Sequence, residues 1–212
     1  MTSLLDAVRQ YIRRHLKTVA RLLNRLSGGR VTPNQVTWIG LLMHIPIALL
    51  IAKGYFVGAA GLLVVFGLFD VLDGELARLQ KRASSAGMVL DATTDRLKEV
   101  LLYTGVAYSI STSDDSAMAF WAVLACGISL SVSYVKAKGE TAVAKTSLNV
   151  QQINRLFQDG LLRFEIRMLL LVIGLLADKL LLAVVVIAIA SLGTVLERLI
   201  RITKTLQAEE VK

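Results

Sequence analysis

Apolar residues fill this chain in spans of about twenty, the length that crosses a bilayer as helix, separated by short polar or glycine-bearing breaks. The first stretch is different. Over residues 1–26, Leu4, Leu5, Val8, Tyr11, Ile12, Leu16, Val19, Leu23 and Leu26 recur at helical spacing, while Arg9, Arg13, Arg14, Lys17, Arg21 and Arg25 fill the other faces. That pattern predicts a basic amphipathic helix lying in the headgroup interface. Ser3 and Asp6 open it in a capping-box-like pattern, and Gly28-Gly29 stops it. Thr32-Pro33-Asn34-Gln35 predicts the next start, with Thr32 as cap, Pro33 in the first turn and Gln35 completing the box. The apolar run behind it reaches about residue 54, with Pro46 as a possible kink. Further spans are predicted over residues 55–82, 85–111, 116–136, 163–176 and 180–199. Ser113-Asp114-Asp115 and Ala177-Asp178-Lys179 are the polar breaks between them, and residues 148–157, inside a polar interval, form a short segment along the interface. The expectation is an all-α integral membrane protein: a juxtamembrane amphipathic helix over residues 1–30, then about six transmembrane helices over residues 31–212.

Composition agrees with that solvent. An apolar fraction of 55% and a mean hydropathy of +0.61 exceed what a soluble domain of 212 residues can hide. The net charge of +8 raises nucleic acid as a partner. However, the basic residues are sorted by membrane side rather than interleaved with aromatics in one stripe, which excludes it. The N-terminal helix, Lys81, Arg82, Lys136, Lys138, Lys145, Arg155, Arg163, Arg167, Arg201 and Lys204 fall on one side, against Lys53 and Lys179 on the other. The positive-inside rule therefore puts both termini in the cytoplasm. The single Cys126 excludes an intramolecular disulfide and a cysteine metal site.

Acidic side chains recur at helical spacing in one place only, residues 69–96. Asp70 and Asp73 stand three apart and Asp91 and Asp95 four apart, and either spacing stacks two carboxylates on one helix face. A polar turn over residues 81–87 separates the pairs. If it joins antiparallel helices, all four acids meet at one depth, near the cytoplasmic side. Carboxylates so gathered in a low-dielectric place need a cation, and oxygen ligands favour Mg²⁺. A bland reading, a lattice of ion pairs closing a bundle, would need more partners than Arg78, Arg96 and Lys98 supply.

The spacing Asp70-x2-Asp73-Gly74-x2-Ala77-Arg78-x8-Gly87-x3-Asp91-x3-Asp95 resembles the signature of the CDP-alcohol phosphatidyltransferases, membrane enzymes of phospholipid synthesis, with all eight fixed positions filled. The resemblance implies that residues 31–212 are catalytic, that Asp70, Asp73, Asp91 and Asp95 hold divalent metal (two Mg²⁺, or Mn²⁺), and that Asp95 takes the acceptor's proton. It implies further that Thr32, Pro33, Asn34 and Thr37 border a CDP pocket with Asp73, Gly74, Ala77 and Arg78. It also implies a homodimer, with CDP-diacylglycerol as phosphatidyl donor and an integral place in the cell's inner or plasma membrane, the site facing the cytoplasm.

Basic residues outside that signature bear on the acceptor. Lys136, Arg163, Arg167 and Arg198 close or open spans on the cytoplasmic side and suit a phosphorylated polyol. The positive-inside bias alone would also place them there. Leu90–Arg96, the Ser133-Tyr134-Val135-Lys136 run and Arg198 resemble the inositol-phosphate-using branch of the family, the phosphatidylinositol-phosphate synthases. The run Arg163-Phe164-Glu165-Ile166-Arg167 departs from that branch's pattern, so glycerol 3-phosphate stays open as acceptor. A transporter with an intramembrane cation site is the reading from another class. It is disfavoured because the acids lie near one surface and no inverted repeat is present.

Overall fold

The computed structural model describes residues 2–143 and 162–210, and every regular element among them is helical. The interfacial segment expected over residues 148–157 lies outside the described residues. Among the described residues eight α-helices run in chain order: α1 (Thr2–Leu26), α2 (Pro33–Ala52), α3 (Phe56–Gly67), α4 (Phe69–Leu79), α5 (Ser85–Ser111), α6 (Phe120–Val143), α7 (Phe164–Leu176) and α8 (Leu180–Glu210). A 3₁₀ turn at Ser116–Met118 precedes α6. Four stretches are long and apolar enough to cross a membrane: Pro33–Ala52, Phe56–Leu79, Ser116–Val143 and Leu180–Ala208. Of the other two expected spans, α5 has the length but carries the charged residues of the acidic cluster. α7 has only 13 residues, about 20 Å of helix at 1.5 Å per residue.

Local chemistry explains the boundaries. Gly28 and Gly29 adopt φ of 59° and 77°, the left-handed conformation that ends α1. Thr32 and Gln35 close the expected box: the Thr32 amide donates to Gln35 Oε1 at 2.8 Å and the Gln35 amide to Thr32 Oγ1 at 3.3 Å. The helix then runs on through Pro46. The predicted span over residues 55–82 is interrupted at Leu68. There the amide bonds Val65 O, three residues back, at 3.3 Å, beside the weak helix former Gly67. α6 and α8 both outrun their apolar stretches. Ion pairs one turn apart prolong them, Lys136–Glu140 at 3.8 Å and Arg201–Glu197 at 2.7 Å.

The chain divides into two compact units, Met1–Ile51 with Gly58–Leu102, and Ala52–Val57 with Tyr103–Lys212. In the first, α1 packs on α4. Ala20, Val36, Leu72 and Leu76 form the buried contact, flanked by Leu23, Val31 and Phe69. Gln80, just past α4, donates its side-chain amide to Asn24 Oδ1 at 2.9 Å and Val31 O at 2.8 Å, tying α4 to the turn between α1 and α2. In the second unit α8 packs against α6 and α7. A Cβ at Gly174 of α7 would lie 2.4 Å from Ala183 Cβ of α8, so glycine sets how closely these helices approach.

Two outcomes follow for stability. Gly174→Ala forces the α7–α8 contact apart and should cost about 1–3 kcal/mol, read as a lowered melting temperature in detergent. Gln80→Ala removes two donated bonds and should cost about 1–2 kcal/mol. An unchanged melting temperature in either variant contradicts the corresponding packing account.

Candidate metal centre

Two helices supply the acids. α4 carries Asp70 and Asp73 one turn apart, and its C-terminal end turns through Lys81, whose φ of 55° is left-handed. The Arg82 amide reaches back to Ala77 O at 2.9 Å across that turn. Ser84 then opens α5 by accepting the Gly87 amide on Oγ at 3.1 Å. A Cβ at Gly87 would crowd Ser84 Oγ at 3.3 Å, the oxygen that caps this turn, and would lie 3.7 Å from Asn34 Oδ1 at the start of α2. The turn thus joins the two acid-bearing helices as expected.

Asp70, Asp91 and Asp95, all half-buried, each offer an oxygen within 4.8 Å of the others. Asp91 Oδ1 is buried and has no hydrogen-bond partner among the described residues. A buried bare carboxylate oxygen is costly unless something fills it. A set of hard carboxylate oxygens with one left open fits a hard divalent cation. Asp73 stands beside this trio, near enough to feel Asp91 and Asp70, but its own Oδ2 accepts the Thr37 hydroxyl at 2.6 Å. Thr37 thereby fixes α2 to α4 at the acids.

One cation is already present. Lys98, with 1% of its side chain exposed, donates from Nζ to Asp70 Oδ1 and, at 3.3 Å, to Asp95 Oδ1. The spacing carried the signal, since 91, 95 and 98 follow one another by four and three and so share a helical stripe. The sequence counts Lys98 among the possible partners of the acids, and the structure puts its ammonium between two of them. Arg96 lies 3.7 Å from Asp95 and 2.9 Å from the fully buried Glu99. His44, on α2, is buried with Nδ1 2.7 Å from Gly40 O.

The residues expected to border a nucleotide are distributed around this centre. Thr32, Pro33 and Asn34 form the start of α2, and Gly74 and Ala77 lie on α4 with the acids. Arg78 is engaged elsewhere than on the aspartates: its Nη2 donates to Glu75 Oε1 at 2.7 Å, and Arg13 Nε of α1 donates to the same oxygen at 2.6 Å. A buried carboxylate thus clamps two half-exposed guanidinium groups. Both line an open groove of about 530 Å³ with Arg14, Lys17 and Arg21. The spacing of Arg13 and Glu75 carries no local signal, because they are 62 residues apart.

The second unit gathers the basic residues. Arg167 is 1% exposed and donates from Nη1 to Leu162 O at 3.0 Å. Arg198, 6% exposed, donates from Nη1 to Val132 O at 3.2 Å, while its Nε is buried without a hydrogen-bond partner among the described residues. Arg163 and Arg167 lie near enough to Arg198 to act on it electrostatically. Lys136 is half exposed and stands 3.8 Å from Glu140. Glu197 and Glu140 also act on Arg198, in the opposite sense to the two arginines.

Comparison with known proteins places this geometry. Phosphatidylinositol phosphate synthase of Corynebacterium glutamicum is 37% identical over 130 residues, which cover 60% of this chain and 58% of that protein. The match therefore spans little more than half the length of that relative. Archaetidylinositol phosphate synthase of Methanothermobacter thermautotrophicus is 28% identical over 211 residues, 97% of each chain. The crystal structure of Mycobacterium tuberculosis phosphatidylinositol phosphate synthase with CDP-DAG bound superposes with a TM-score of 0.75 at 26% identity, over 89% of this chain and 94% of that one. The same protein in complex with manganese and citrate matches with a TM-score of 0.75 at 25% identity, over 88% of each chain. The family model described as CDP-alcohol phosphatidyltransferase matches residues 30–196, and with the aspartates of α4 and α5 inside that match, the chain belongs to the CDP-alcohol phosphatidyltransferase family.

Proposed function

We propose that this protein transfers the phosphatidyl group of CDP-diacylglycerol to a hydroxyl of inositol phosphate, releasing CMP. The observation that carries this reading is the trio Asp70, Asp91 and Asp95 within 4.8 Å, with Asp91 Oδ1 left bare. The names of the relatives support the substrates, and the manganese complex of the Mycobacterium tuberculosis enzyme supports a divalent ion.

Asp70, Asp91 and Asp95 would hold Mg²⁺, with Asp73 available to a second ion. When bound, such ions neutralise charge on a diphosphate and on its leaving group. Everything else is the work of side chains. The acceptor oxygen attacks the phosphorus that bears the diacylglycerol, a new P–O bond forms, and the P–O–P linkage to CMP breaks. Asp95 takes the hydroxyl proton, the role that the family resemblance gives to the last acid of the motif. Thr32, Pro33, Asn34, Thr37, Asp73, Gly74, Ala77 and Arg78 would border the CDP group. Gly74 suits that role because a Cβ there would already lie 3.6 Å from Arg78 Nη2. Arg163, Arg167 and Arg198, with Lys136, would take the acceptor's phosphate, and the open Nε of Arg198 is a donor suited to it.

We also read residues 1–30 as a juxtamembrane helix on a catalytic domain of six spans over residues 31–212. Both termini and the site face the cytoplasm in this reading, and the protein works as a homodimer. The exposed apolar side chains of α1 (Tyr11, Val19, Leu22 and Leu26) suit a helix lying in the interface.

Purified protein should release CMP from CDP-diacylglycerol with Mg²⁺ and inositol phosphate, and Asp91→Asn should abolish the release. An unchanged rate in that variant refutes the centre, and ion flux into liposomes without CMP would favour transport instead. An acceptor panel at fixed donor tests the alcohol. Inositol phosphate should turn over fastest, and a clear preference for glycerol 3-phosphate would reassign it. Arg198→Lys keeps the charge but loses the planar fork. It should raise the acceptor KM on the order of tenfold and leave the CDP-diacylglycerol KM unchanged, whereas equal effects on both would remove Arg198 from the acceptor site.

A further inference from the structure

Lys98 is placed where a bound cation is needed, and nothing in the proposed reaction uses it. Its stem passes over Gly40 of α2: a Cβ at Gly40 would lie 3.9 Å from both Lys98 Cε and Nζ. The lysine stem thus runs at ordinary van der Waals distance from α2 at this point. Nζ then meets carboxylate oxygens of two different helices, Asp70 on α4 and Asp95 on α5. These are two of the three acids that could share an ion. The third, Asp91, is the acid whose oxygen is left bare. With 1% of its side chain exposed, Lys98 is withdrawn from water, and these two acids are the partners its ammonium meets there.

We propose that Lys98 is the resident cation of this centre, and that its contact with Asp70 and Asp95 excludes a divalent ion bridging the same two carboxylates. This rests on the metal-binding reading of the acids. In the ion-free protein the ammonium offsets the repulsion that would otherwise push α4 from α5. Loading the centre requires Nζ to leave Asp70 and Asp95, so the divalent ion binds against an internal competitor. The device keeps the helices in register without metal, and it weakens the resting affinity for the ion. Lys98 acts through the aspartates and is a positioning residue.

Mn²⁺ binding followed by electron paramagnetic resonance, without substrate, tests this in the full-length protein. Lys98→Met keeps the length of the stem and removes the charge. It should bind Mn²⁺ at least tenfold more tightly than the wild type. Without metal it should melt lower, and saturating Mn²⁺ should raise its melting temperature more than it raises that of the wild type. Equal or weaker Mn²⁺ affinity in folded Lys98→Met overturns the proposal while leaving the metal centre standing. Absence of Mn²⁺ binding in both proteins overturns the metal reading and the proposal together. Should Lys98→Met not fold, the wild type supplies the second measurement. Mass spectrometry after reductive methylation should find Lys98 protected without metal and modified once Mg²⁺ saturates the centre, and unchanged protection contradicts displacement.

Discussion

Mutual repulsion among Asp70, Asp91 and Asp95 is the constraint around which the first unit is built. Unit charges about 4 Å apart interact by roughly 4 kcal/mol even at a protein-like dielectric, so acids with oxygens inside 4.8 Å hold together only beside positive charge. Lys98 supplies one such charge, and Arg96 stands 3.7 Å from Asp95. The remaining demand falls on whatever fills the open oxygen of Asp91. The charges that hold α4 against α5 are thus the same ones that could share a cation.

The supporting contacts are placed so that the acids do not drift. Thr37 pins Asp73 from α2, Gln80 ties the end of α4 to the first turn of the chain, and Glu75 holds Arg13 of α1 beside Arg78. The contacts of Thr37, Gln80 and Arg13 each tie α4 or its end to a residue distant in sequence. That helix has only eleven residues, too few to hold itself in place by its own backbone bonds. Its position is set by neighbours. In the second unit Arg198 lies under the influence of Arg167, Arg163, Glu197 and Glu140, and its Nε has no hydrogen-bond partner among the described residues.

Much of this was legible in the residues because it is periodic or local. Helix α5 spans Ser85–Ser111 as the apolar pattern predicts, and the Thr32–Gln35 box forms as its spacing requires. The convergence of Asp70 with Asp91 and Asp95 follows from two helical spacings and a turn. Features that depend on partners far along the chain were not legible: the clamp of Arg13 on Glu75, and the reach of Lys98 from α5 to Asp70 of α4. The break at Leu68 escaped because its neighbours are uniformly apolar, so hydropathy runs across it unchanged. The extensions of α6 and α8 escaped for the converse reason. Their ends are polar, and helix persists there through ion pairs rather than burial.

The central claim is that three aspartates from two helices form one cation site. Diffraction from crystals grown with Mn²⁺, collected at the manganese absorption edge, examines it directly. The account predicts an anomalous peak within about 2.3 Å of oxygens from Asp70, Asp91 and Asp95 together. A peak elsewhere, or saturating Mn²⁺ with no peak among these three residues, would contradict it.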